Sequence, residues 1–80
     1  MYGWVFYDVE IHDKKTDKFI SYENYLTQQD AEDYIKRMIN TKSLDYNEKL
    51  VLIKRNYDND REIIRETTIK EVDYNGEQNQ

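Results

Sequence analysis

The chain has no cysteine, so its 80 residues hold neither a disulfide framework nor a thiolate zinc site. The absence suits a reducing compartment. Proline is missing as well, and glycine occurs only at Gly3 and Gly76. Neither glycine stands in a strand-to-helix turn, which excludes a glycine-rich phosphate loop. No apolar run approaches the roughly 20 residues of a membrane span, and the N-terminus lacks the basic and apolar regions of a signal peptide. A soluble, cytoplasmic protein is the expectation. His12 is the sole histidine and has no evident serine partner. One short helix cannot wall a deep cleft, so the sequence argues against an enzyme and calls for no cofactor and no resident metal.

Positive charge is also in short supply. Twelve basic residues face 17 acidic ones, for a formal charge of −5. Phosphate repels such a chain, which makes nucleic acid an unfavourable partner and a basic protein surface a better one.

What is present argues for a folded domain. Aromatics make up 14% of the chain, eight of them tyrosines, although 36% of residues are charged. Disordered chains are poor in aromatic and β-branched residues. Isoleucine, asparagine, lysine and tyrosine are common and share A/T-rich codons, which points to a low-GC bacterium or its phage.

The pattern reads β-β-α-β-β. From Tyr2 to Asp13, Val5, Tyr7, Val9 and Ile11 alternate with Tyr2, Trp4 and Phe6, and the second face turns polar at Asp8, Glu10 and His12. A polar turn, Asp13 to Lys18, leads to a second strand, FISYENY. Thr27 then caps a helix with Asp30 three residues on, and Leu26 and Ala31 hold the positions of a hydrophobic staple. Ala31, Tyr34, Ile35, Met38 and Ile39 form its apolar stripe. Glu32–Lys36 and Asp33–Arg37 are spaced as i,i+4 pairs. After the loop TKSLDYNE come a third strand, KLVLIKRNY, a turn at Asp58–Asp60, and a fourth strand to Tyr74. The expected fold is α+β: one domain over 1–74, an antiparallel sheet in the order 2-1-3-4 with one helix on one face, and a flexible polar tail over 75–80.

Strand 4 carries charges on both faces of a simple alternation, as a guarded edge would. A three-residue loop would pair Arg55 with Ile63 and Ile53 with Arg65, whereas the Ile63–Ile64 doublet could mark a bulge that shifts the alternation.

Two surfaces are candidates for function. With Val5, Tyr7, Val9 and Ile11 under the helix, Tyr2, Trp4 and Phe6 point to the uncovered face. Either Leu50 and Leu52 or Val51 and Ile53 must join them, and Leu50 and Leu52 stand in the candidate set. Such a patch marks association with a protein or a second copy, unless the tail or the TKSLDYNE loop folds across it. Asp58, Asp60, Glu62 and Glu66, with Asp45 and Glu48, could line an acidic rim for a basic partner, as in proteins that mimic nucleic acid. Asp8, Glu10 and His12 share a strand face, a pattern that could begin a metal site but more often marks a solvated face.

The hairpin followed by YLTQQDAEDYIKRMI resembles small phage-type sheet-plus-helix modules, including the arm-DNA-binding domain of phage integrases. In those, a hairpin precedes an aromatic-x-Thr-x-x-x-Ala helix start, here Tyr25, Thr27 and Ala31. The resemblance covers about half the chain. The integrase module has three strands before its helix and a basic face. This chain has two and is acidic, so DNA binding is not carried over. The expected function is a small acidic, non-enzymatic protein-binding module, a modulator or inhibitor of a host protein encoded by a phage or mobile element. The alternative is a nucleic-acid-binding accessory protein using Lys14, Lys15, Lys18, Lys36, Arg37 and Lys42.

Overall fold

A computed structural model describes residues 3–76 and the backbone of 78–79. The elements are β1 (Trp4–Asp13), β2 (Phe19–Tyr25), α1 (Gln28–Asn40), β3 (Glu48–Tyr57), β4 (Ile63–Asp73) and a short β5 (Gln78–Asn79). The sheet order is β2-β1-β3-β4-β5, antiparallel throughout. The four long strands thus stand in the expected order. β5 lies outside β4, where Gln78 and Asn79 pair with Val72 and Glu71.

Local chemistry sets the turns. Asp13 Oδ1 accepts from the backbone N–H groups of Lys15 and Thr16, both at 2.9 Å, closing the first hairpin. Thr27 Oγ1 accepts from Asp30 N at 3.1 Å and starts α1. At the far end, Ser43 N donates to Met38 O and Lys42 N to Ile39 O, with Lys42 left-handed at φ 54°. This is the helix ending that glycine usually supplies. Two helix expectations are corrected. Leu26 is exposed and forms no staple with Ala31. Glu32 reaches across to Lys70, and Asp33 accepts from Gln29, in place of Lys36 and Arg37. No described helix is long and apolar enough to cross a membrane.

Register decides which residues form the core. Val9 stands opposite Leu52, and Ile11 opposite Leu50. Residues opposite one another share a face. Leu50 and Leu52 therefore lie under the helix with Val9, all at 0% exposure, packed with Ala31, Ile35, Leu44 and Val72. Fully burying each of these large aliphatics contributes about 1.5–3 kcal/mol. Placing Leu50 and Leu52 beside Trp4 on the uncovered face is thus corrected; Val51 and Ile53, opposite Glu10 and Asp8, take that side. Leu44 also shows where the TKSLDYNE loop goes. It closes the helix-side core and leaves the opposite face open.

β4 resolves its mixed pattern with two register shifts. Tyr57 pairs with Ile63, Asn56 with Arg65 and Arg55 with Glu66, so the ladder slips at Ile64 and again at Ile69. The bulge at the isoleucine doublet is present, and the pairings of the three-residue loop are not. The shifts sort the charges by sign. Glu66, Glu71 and Asp73 fall on the open face, and Arg65 and Lys70 on the helix face.

The 13 residues of α1 rise about 20 Å, whereas the ten residues of β3 run about 33 Å. The helix cannot span the sheet. No described residue is buried before Asp8 on β1, or between Ile53 of β3 and Val72 of β4. The end holding Trp4, Tyr57 and Ile63 projects beyond the core.

Candidate functional site

The open face has an ionic middle and aromatic ends. In the middle, Asp8 and Glu10 rise from β1 and Arg55 from β3. Arg55 Nη1 donates to Asp8 Oδ2 and Glu10 Oε2, both at 2.8 Å, and its Nε donates to Glu66 Oε2 at 2.7 Å. Asn24 Nδ2 donates to Asp8 Oδ1 at 2.5 Å, and His12 Nε2 lies 2.7 Å from Glu10 Oε1. Asp8 is 3% exposed and Glu10 8%, although no helix covers them. The long side chains around them exclude water instead. Burial works against the Glu10 charge, but the hydrogen bonds from His12 and Arg55 outweigh it and hold its pKa below the ordinary value. Burial also opposes the Arg55 charge. Its hydrogen bonds to Asp8, Glu66 and Glu10 prevail and raise its pKa.

This network consumes several candidate groups. Asp8, Glu10 and His12 share a face as expected, but the cation between the two carboxylates is Arg55. Among the described residues no buried side-chain nitrogen or oxygen lacks a hydrogen bond. The middle of the face is, among the described residues, a satisfied polar plug.

The projecting end differs. Trp4 stands opposite Tyr57, and the rings of Phe6 and Tyr57 meet edge to face, with centroids 5.5 Å apart. Gly3 permits this approach, because a Cβ there would lie 1.9 Å from the carbonyl oxygen of Tyr57. A cavity of about 400 Å³ opens here, lined by Trp4, Phe6, Asn24, Tyr57 and Arg61. Asp58 builds the adjoining turn, its Oδ1 accepting from Asp60 N at 2.9 Å and Glu62 N at 3.0 Å. Arg61 is left-handed at φ 66°, and it makes no ion pair among the described residues.

The sequence candidates divide accordingly. Trp4 and Phe6 meet at the cavity. Tyr2 lies outside the described residues. Leu50 and Leu52 belong to the core. Asp58 is occupied by its turn and Glu66 by Arg55, which leaves Asp60 and Glu62 as exposed acids beside Arg61. Asp45 and Glu48 stand at the opposite end of β3 and complete no rim with them. Of the basic set, Lys14 lies 3.7 Å from Asp73, and Arg37 packs over the Tyr34 ring. Sequence reasoning missed Tyr57, Arg61 and Arg55. The available signal for Tyr57 was its even spacing from Val51 and Ile53, which puts all three on one strand face and becomes usable once register sets Tyr57 opposite Trp4. Comparison of the chain with protein-family models, curated proteins and solved structures found no match.

Proposed function

We propose that this chain is a non-enzymatic protein-binding module that docks a partner on the projecting end of its open face. The observation that carries the proposal is the cavity edged by Trp4, Phe6 and Tyr57, with Trp4 44% exposed, on a face that the helix leaves uncovered. Aromatic anchors in a concave apolar setting are the residue types on which binding energy concentrates. The partner's contact surface is an apolar side chain set among basic residues. Asp60 and Glu62 flank the cavity turn, and the net charge of −5 favours encounter with a basic surface. In cellular terms this is a cytoplasmic modulator of a host protein, and the A/T-rich codon bias suits a phage or mobile-element origin.

Trp4 is the single tryptophan of the chain, so its emission reports directly on the cavity. Peptides displayed at random and selected on the immobilised protein should be enriched in an aromatic or aliphatic residue flanked by Lys or Arg. They should shift Trp4 emission and lose binding to Trp4→Ala, whose circular dichroism should remain that of the parent. Selected peptides that bind Trp4→Ala equally well would overturn the proposal, as would a selection with no such enrichment.

A further inference from the structure

We infer that β2 pairs edge to edge with β2 of a second copy of this chain, joining the two sheets into one. β2 is the last strand on its side of the sheet, so its outer backbone groups have no ladder partner among the described residues. Six of its seven residues are exposed, and the seventh, Tyr25, is intermediate. Phe19 is 53% exposed and Tyr22 57%. Within Phe19–Tyr25 the only charge is Glu23, and there is neither proline nor glycine. Such a strand is a ready template for another strand.

Charge selects a second copy as the occupant. Antiparallel pairing about a two-fold axis normal to the sheet keeps both open faces on one side. Setting Glu23 against the partner's Glu23 brings like charges together. Setting Lys18 against the partner's Glu23 makes two unlike pairs by symmetry and places Phe19 opposite the partner's Tyr22. Neither Lys18 nor Glu23 has an ion pair among the described residues, so both are available. The register also suits the one irregularity of β2. Its slip at Ile20 puts Phe19 and Tyr22 on the same open face, with ring centroids 6.2 Å apart. His12 lies against Phe19 at 6.1 Å, so pairing would run one aromatic cluster across the seam. The paired segment, Lys18 to Glu23, stops one residue short of Asn24, where β2 meets the cavity at Trp4.

Sedimentation equilibrium of the full chain tests the inference. A short edge interface predicts a dimer with a dissociation constant on the order of 1–100 µM. Lys18→Glu and Glu23→Lys should each weaken it by about tenfold or more, and the double variant should restore it. Glu23→Lys is the sharper of the two, because it reduces the net charge of −5 by two units and would relieve any general repulsion. Circular dichroism should be unchanged in all three, since both side chains are exposed. A monomer up to about 0.5 mM would overturn the inference. A dimer indifferent to both charge reversals, or one abolished by Trp4→Ala, would also overturn it and move the contact elsewhere.

Discussion

β2 and β4 are the outer long strands of one sheet, yet they treat their exposed backbone in opposite ways. β4 slips register twice, carries Arg65, Glu66, Lys70 and Glu71, and is capped at one end by β5. Several of those charges are also tied inward. Glu66 holds Arg55, Lys70 holds Glu32 of the helix, and Glu71 holds Lys49 at 3.2 Å. β2 slips once, carries Glu23 alone, and presents Phe19, Ile20 and Tyr22 to solvent. Charge alone therefore does not describe a guarded edge. On β4 the charges deter pairing and also connect the strand to the rest of the molecule, whereas on β2 little does either.

The largest expected effect comes from breaking the inward wiring on the β4 side. Arg55→Met would leave Asp8 and Glu10 buried without their cation, and unfolding in urea should show a loss of about 3–5 kcal/mol. Glu66→Gln removes only the half-exposed partner of the same arginine and should cost at most about 1 kcal/mol. Equal losses in the two variants would mean that the network is not centred on Asp8 and Glu10.

Acid should loosen the same wiring. The hydrogen bonds from His12 and Arg55, against burial, depress the Glu10 pKa, and the Lys70 hydrogen bond depresses that of Glu32. A carboxylate whose folded pKa lies below its unfolded one stabilises the fold above the unfolded value. That contribution disappears as pH falls through the folded value. The stability due to these groups should therefore decline only as pH drops below about 4.5, their ordinary value. Glu10→Gln should be less stable near neutral pH and show a shallower acid decline in a series of urea titrations.

Smaller effects test the turn and the open edge. Arg61→Gly relieves the left-handed strain in the β3–β4 turn at the cost of a more flexible unfolded chain, and should raise stability by up to about 1 kcal/mol. It should also remove the cation from the cavity. Ile20→Lys places a guard on β2 and should change monomer stability by no more than about 0.5 kcal/mol, while concentration-dependent association disappears.

The order of strands was legible because β1 and β3 are apolar on both faces, as central strands must be, and because the helix has a cap and a clean stripe. The face assignment of β3 was not. Leu50 and Leu52 are chemically equivalent to Val51 and Ile53, and only pairing with Val9 and Ile11 separates them. The cavity was half legible. Trp4 and Phe6 stand out in sequence, but Tyr57 meets them only through the β1–β3 register, and Arg61 through a five-residue turn whose length is hidden by the bulge at Ile64. The ionic middle was not legible, because Asp8, Glu10 and His12 by themselves suggest a solvated strand face, whereas the cation that ties them together, Arg55, is 47 positions from Asp8.

Amide hydrogen exchange across a range of protein concentrations compares the two edges in one experiment. Outward-facing amides within Phe19–Glu23 should become slower to exchange as concentration rises, while those of Ile63–Thr68 should not change. Slowing on β4, or no concentration dependence on β2, would contradict pairing through β2.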